Sequence, residues 1–220
     1  MKEKPIIFST ESVQAILEGR KTQARRVVKN IPRYEYFEQG RYHPEKTDKE
    51  GNMFPGNEVI GIWGDEWDIP ARYQIGDVLW VKERYTTVES VDDAGRENGF
   101  VIIYAADLIS SSLANPHLVK WKNPMFMPRK YARLFLRVTG VRCERLNDIS
   151  KQDVMSEGFV CNPLCNPSTC SLGKMLGTRY GDCKLPKGVF QATWNKINKK
   201  HPWVSNPWVW CIEFEVCNGQ

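Results

Sequence analysis

Residues 133 to 141, RLFLRVTGV, constrain the fold most. Leu134, Leu136 and Val138 fall on one side of a two-residue repeat, and Arg133, Phe135 and Arg137 on the other. Side chains alternate across a strand with a period of two, so this segment reads as a strand with one buried face. Such a strand needs partners, and the chain offers several. VLWV at 78–81 follows a turn signal at Gly76-Asp77, GFVIIYAAD starts at Gly99, and PWVWCIEFEVC closes the sequence.

Helical signals are fewer and shorter. Ser9 and Thr10 are N-cap types, Glu11 suits the positive end of a helix dipole, and Val13, Ile16 and Leu17 recur at helical spacing before Gly19. This predicts a helix over residues 10–18, followed by the start of a strand at Arg25 to Val28. In DISKQDVMSEGF, Asp148 and Ser150 precede Asp153 in a capping pattern, and Gly158 ends the helix. Val189, Phe190, Trp194 and Ile197 mark a third helix, which His201-Pro202 terminates. Residues 33–72 are rich in Tyr, Trp, Gly, Pro and charge without a sustained period, and read as an irregular insertion with a short hairpin around VIGIW. Residues 108–126 are loop-like. Strands with few, short helices give an α+β class, here a small β-barrel plugged by helices.

Composition narrows the class further. At 220 residues and 41% hydrophobic content, one sizeable domain with a packed core is expected. No apolar run approaches the ~18 residues that cross a bilayer, and MKEKPIIFSTE lacks the features of a signal peptide, so the expected location is cytoplasmic with no membrane partner. The net charge of +5 is mild, but the cations are grouped. Arg20, Lys21, Arg25, Arg26 and Lys29 form one cluster; Arg129, Lys130, Arg133, Arg137, Arg142 and Arg145 form another. Such grouping suits a polyanion such as RNA, and equally a pair of solvated faces.

The order of these pieces carries a resemblance. A short helix leads into GRKTQARR, then YQIGDVLWV, then a basic strand preceded by MPR, then VMSEG, then NPWVW and CIEFEV. This order resembles the ASCH family, which has a PUA-like β-barrel, and most of all its large phage- or prophage-type members. The resemblance covers residues 5–29, 73–85, 124–158 and 189–216. It implies a single domain over residues 1–220, with insertions at about 33–72 and 160–186.

One short bacterial branch of that family hydrolyses N4-acetylcytidine to cytidine and carries the signature Gly-x-Lys-x-x-Thr-x-Arg. Gly19, Lys21 and Arg26 match it, the family's second-helix Glu falls on Glu157, and Ala24 occupies the Thr position. The resemblance implies a nucleoside or RNA ligand, read here as a modified cytosine nucleoside, and no cofactor is expected for catalysis. Lys21 would be the base, activated by burial and by Arg20, Arg25 and Arg26 around it. Glu157 would accept a proton or hold Lys21, Arg26 would orient a carbonyl or oxyanion, and Thr22 is a spare hydroxyl in the substrate-binding group.

Ala24, at the nucleophile position, leaves three readings: a site inactivated by replacement of Thr, a binder that has lost catalysis, or attack by a water held between Lys21 and Glu157. A regular strand would place positions 21 and 24 on opposite faces, so a shared site needs a turn or bulge. Other members of the superfamily bind RNA or have been reported as ribonucleases. An RNA-binding module, or a ribonuclease using Lys21 as acid–base, is therefore the rival.

Of seven Cys, Cys161, Cys165, Cys170 and Cys183 crowd into one Asn-, Pro- and Gly-rich stretch. Four thiolates suit a tetrahedral structural zinc able to order a loop without an apolar core; free cysteines are the alternative. Cys143, Cys211 and Cys217 lie on or beside predicted strands and read as core or surface thiols. No catalytic role falls to His43, His117 or His201.

Overall fold

The fold is described from a computed structural model covering residues 2–31, 37–64, 67–91, 97–108, 120–159 and 186–218. It is mixed α+β, with strands in the majority and few, short helices. No described helix is long and apolar enough to cross a membrane. The chain divides into two compact units: Met1–Gly19, Gly76–Arg137 and Glu215–Gln220 form the first, and Arg20–Ile75 with Val138–Phe214 form the second.

In the first unit, β1 (Glu3–Ile7) pairs in parallel with β8 (Val78–Lys82), which pairs antiparallel with the start of β11 (Phe135–Arg145). The alternation in RLFLRVTGV is realised there: Leu134 and Leu136 are buried. Helix α1 (Thr10–Leu17) starts at Ser9, whose Oγ accepts the Ser12 N–H at 3.3 Å. It buries Val13 and Ile16, each contributing about 1.5–3 kcal/mol. It ends at Gly19, where φ is +71°, a conformation glycine adopts without penalty.

β9 (Tyr85–Val91) and β10 (Glu97–Tyr104) form a hairpin. The strand expected through GFVIIYAAD stops earlier than its sequence suggests, because Ala105–Leu108 turn into α2. Ala105 and Ala106 are buried, and the Gln14 side chain of α1 donates to the Ala106 carbonyl at 3.1 Å. In the loop that follows, Asn123 caps a 3-10 turn at Pro124–Phe126.

The second unit corrects the reading of residues 33–72 as irregular. They carry β3 (Glu38–Tyr42), β4 (Glu45–Thr47), β5 (Met53–Pro55), β6 (Val59–Gly64) and β7 (Trp67–Pro70), in a three-stranded sheet β3-β6-β7 and a separate β4-β5 pair. The hairpin expected around VIGIW is β6–β7. No apolar period announces the rest, because these strands are set by specific contacts. The Gln74 amide mimics a neighbouring strand, accepting from the Ile60 N–H at 2.6 Å and donating to the Ile60 carbonyl at 3.0 Å. Tyr42 packs on Trp63 with ring centroids 5.0 Å apart, so closely that a Cβ at Gly61 would lie 2.5 Å from the Tyr42 ring.

The rest of the second unit follows the expected elements. β12 (Trp208–Cys217) lies between β11 and β2 (Gln23–Val27). Helix α3 (Lys151–Ser156) opens with a full capping box between Ser150 and Asp153 and is followed by Gly158 at φ +90°. Helix α4 (Pro186–Ile197) packs Phe190 and Trp194 against Leu146, Ile149, Val154 and Val209. That apolar cluster fixes α3 beside the sheet and so decides where Glu157, at the end of α3, is presented.

Candidate active site around Lys21 and Glu157

Lys21 and Thr22 lie between Gly19 and β2, and there the backbone changes partners. Lys21 forms an antiparallel bridge with Glu157. The Thr22 N–H donates to the Ser156 carbonyl at 2.7 Å, while its own carbonyl accepts from Phe214 N–H at 2.9 Å. From Gln23 to Val27 the register with β12 is unbroken. β2 therefore holds no bulge, and no turn is described between Lys21 and Ala24: the only turn residues nearby, Glu18 and Gly19, precede Lys21.

The bridge brings two charged side chains together out of solvent. The Lys21 ammonium donates to Glu157 Oε2 at 2.5 Å and to the Glu157 carbonyl at 3.0 Å. Their side chains are 5% and 6% exposed, a degree of burial that unpaired Lys and Glu almost never reach. Burial pushes the Lys21 ammonium below the ordinary lysine range; Glu157 opposes this, and Arg26 and Arg25 reinforce it. Of the cations expected around Lys21, Arg20 is turned elsewhere, donating to the Gly158 carbonyl at 2.8 Å.

Arg25 occupies the second oxygen of Glu157, which it meets at 3.1 Å through Nη1. Its Nε and Nη2 both donate to Glu144 Oε1, at 2.9 and 2.6 Å, and its side chain is 1% exposed. Glu144 and Asp153 are shared with Arg142, which bonds Glu144 at 3.1 Å and Asp153 at 2.9 Å and also reaches Glu213. Gln23 joins at the edge, 3.2 Å from Glu213. The result is one linked set of three cations and four carboxylates in which the buried members, Lys21, Arg25 and Glu157, each meet an opposite charge, the condition under which burying them is tolerable.

The remaining expected residues are placed as follows. Ala24 is fully buried opposite Ile212, on the same face of β2 as Arg26 and the opposite face from Gln23 and Arg25. Arg26 is half-buried, and its Nη1 donates to the Arg25 carbonyl at 2.9 Å. Its charge interacts with Glu157 and with Tyr73 and Arg72 from the segment after β7, while burial lowers its pKa. Thr22 is exposed. The structure thus joins Lys21 to Glu157 directly and sets Arg26 near them, with Ala24 beside Arg26 in the strand.

Three participants had no assigned part in the sequence, and a fourth, Arg25, was expected only as one of the cations around Lys21. Glu144, Arg142 and Asp153 read as strand charge or a helix cap, and Arg25 as one cation in a run. Only the two-residue spacing of Gln23 and Arg25 hinted at a polar inward face. Arg72 ends the insertion and Tyr73 opens the YQIGDVLWV segment, and neither was assigned to the site.

The Cys211 thiol, which borders the network at 3.5 Å from Gln23 Oε1, is pushed up to about 12 by burial, against the pull of Arg25 and Arg142. A protonated, fully buried thiol is a poor nucleophile. Cys161, Cys165, Cys170 and Cys183, the expected zinc ligands, lie outside the described residues. Among the described residues, no group of three or more His, Cys, Asp or Glu is placed to hold a metal ion.

Chemically, a lysine whose proton is loosened and a carboxylate that stabilises its charged form make a proton-transfer pair. Comparisons with protein-family models, with curated proteins and with solved structures find no match for this chain.

Proposed function

We propose that this chain is a PUA-like, ASCH-type protein of the cytoplasm. Its Lys21–Glu157 site binds an N4-acylated cytosine nucleoside and hydrolyses the acyl amide slowly. The observation that carries the reading is the buried Lys21–Glu157 pair at 2.5 Å, formed by two motif positions 136 residues apart. A purely structural lysine has no need of burial between two arginines, which raises the cost of its charge.

In the proposed reaction, neutral Lys21 takes a proton from water as the water oxygen bonds to the acyl carbon. Arg26 steadies the oxyanion that forms. The C–N4 bond then breaks, and Lys21 returns the proton to the departing cytosine, giving cytidine and the carboxylic acid, which ionises in solvent. Glu157 holds the lysine in place and balances its charge while it carries the proton. Water is the nucleophile because residue 24 has no hydroxyl, and this accounts for a low rate.

The RNA-binding rival draws less support. Within the second basic cluster, Arg129 bonds Glu3, Arg133 bonds Glu83 and Asp107, and Arg142 bonds Glu144, Asp153 and Glu213. Cations spent on internal carboxylates release few counterions from a polyanion.

The test is calorimetric titration with N4-acetylcytidine, together with chromatography of cytidine and acetate after prolonged incubation. Binding that is insensitive to salt, with slow conversion lost on Lys21→Met, is expected. Absence of both binding and conversion, or binding only to RNA with steep salt dependence, overturns the proposal.

A further inference from the structure

Arg25 has no place in the signature that singles out Lys21 and Arg26, yet it is the most buried charge of the network. It meets Glu157 Oε1 at 3.1 Å while Lys21 holds Oε2 at 2.5 Å, so one carboxylate is gripped from both sides. Arg25 is itself fixed by two bonds to Glu144, at 2.9 and 2.6 Å. A guanidinium is planar, carries its charge at every accessible pH and cannot turn without breaking these bonds together.

We propose that Arg25, anchored by Glu144, is a positioning residue that fixes the Glu157 carboxylate and sets how tightly Lys21 holds its proton. The inference deepens the reading of Lys21 as a base and rests on it. Arg25 adds a positive charge on the far oxygen of Glu157. It thereby weakens the field that Glu157 exerts on the Lys21 ammonium and makes the proton easier to lose. Glu144 acts in the opposite sense, because its negative charge partly cancels Arg25.

The other charged and titratable groups around the pair are Arg26 on β2, Asp153 on α3, Arg142 on β11, Cys211 and Glu213 on β12, and Arg72 and Tyr73 after β7. Arg142 shares Glu144 and Asp153 with Arg25, so removal of either arginine leaves those carboxylates with one cation. Burial is the largest influence lowering the Lys21 proton affinity, and Arg25 acts on top of it. An opposite or like charge at this range moves a titration by about one pH unit or more.

The experiment follows the Lys21 titration directly in the full chain, by NMR of protein carrying 13C-labelled lysine, with Lys21→Met identifying the signal. Arg25→Gln should raise the Lys21 midpoint by about one pH unit, Arg25→Lys should return it toward the parent, and Glu144→Gln should lower it. Shifts of opposite sign from the two neutralising substitutions are the signature, since a purely structural role would move neither midpoint.

Midpoints that stay put, or that move the same way in both variants, would overturn the proposal. If Arg25→Gln does not fold, Glu144→Gln decides alone: a lowered midpoint supports the proposal and an unmoved one ends it. The titration needs no turnover. Absence of amidase activity would therefore count against the proposed function while leaving this result readable.

Discussion

Lys21 and Glu157 are joined three ways: by an antiparallel backbone bridge, by an ammonium–carboxylate bond at 2.5 Å, and by a second bond from the same ammonium to the Glu157 carbonyl at 3.0 Å. Removing the ammonium keeps the bridge but deletes the proton carrier of the proposed reaction. Lys21→Met should therefore leave the fold in place, with Arg25 still neutralising Glu157, and lower amidase turnover ~100-fold or more. The parent rate should climb with pH and level off below the ordinary lysine value of 10.5, because the active form is the neutral amine whose proton burial has loosened. A variant keeping more than about a third of the rate, or a rate that falls as pH rises, would remove Lys21 from the mechanism.

Asp153 ties the helix carrying Glu157 to the network. Burial alone would raise its pKa, but the Ser150 hydroxyl, Gln23 and Arg25 outweigh it and hold the carboxyl down at about 2, from 3.8. Its folded pKa lies below its unfolded one, so its contribution is complete above about pH 4 and disappears as pH falls toward 2. Asp153→Asn should accordingly be less stable than the parent at pH 6, with the gap closing in acid. Denaturant unfolding from pH 6 to 2 measures this, and a gap that stays constant with pH would contradict it.

The cysteine-rich segment supplies a separate test. Four closely spaced thiols in a stretch poor in apolar residues suit a structural zinc, with free cysteines as the alternative. Protein purified without chelator should carry about one zinc per chain, as a closed four-thiolate site requires. Cys165→Ser should lose it and make residues 160–186 easier to cleave with protease. Metal analysis finding no zinc would leave these residues as free cysteines.

The parts legible in the sequence were those whose signals are local. Ser9 and Gly19 bracket α1, Ser150 and Asp153 form a box within one turn, and Leu134, Leu136 and Val138 alternate within five residues. The five strands between residues 38 and 70 escaped because what orders them is not periodic. A side-chain amide imitates a strand edge at Gln74, and a ring presses on a glycine at Gly61.

The site was legible only where motif order named its members. Lys21 and Glu157 came from that order, and the structure places the two side by side. Arg25 and Glu144 did not, since a buried charge pair formed across 119 residues looks, in sequence, like a solvated basic run and a strand glutamate. Two of the cations grouped in the sequence, Arg25 and Arg142, are paired with the carboxylates of Glu157, Glu144, Asp153 and Glu213, of which Glu157 is the most buried.

In the proposed reaction, the side chain at position 24 sets the rate. Ala24 lies in an unbroken strand on the same face as Arg26, fully buried against β12. Ala24→Thr adds a hydroxyl beside the arginine proposed to hold the oxyanion. A β-branched residue suits a strand, so the backbone should tolerate it, although filling a sealed position costs about 1–3 kcal/mol of stability. Binding of N4-acetylcytidine should change by less than about 1 kcal/mol, because few ground-state contacts alter. Turnover should rise at least ~10-fold, since a positioned hydroxyl replaces a water that must be captured and oriented at each cycle. The measurements are calorimetric affinity and conversion followed by absorbance, on the parent and on Ala24→Thr side by side. Equal turnover by the two would show that water attacks in both and that residue 24 lies outside the reaction; a fall in turnover with affinity unchanged would place the added methyl against the attacking water.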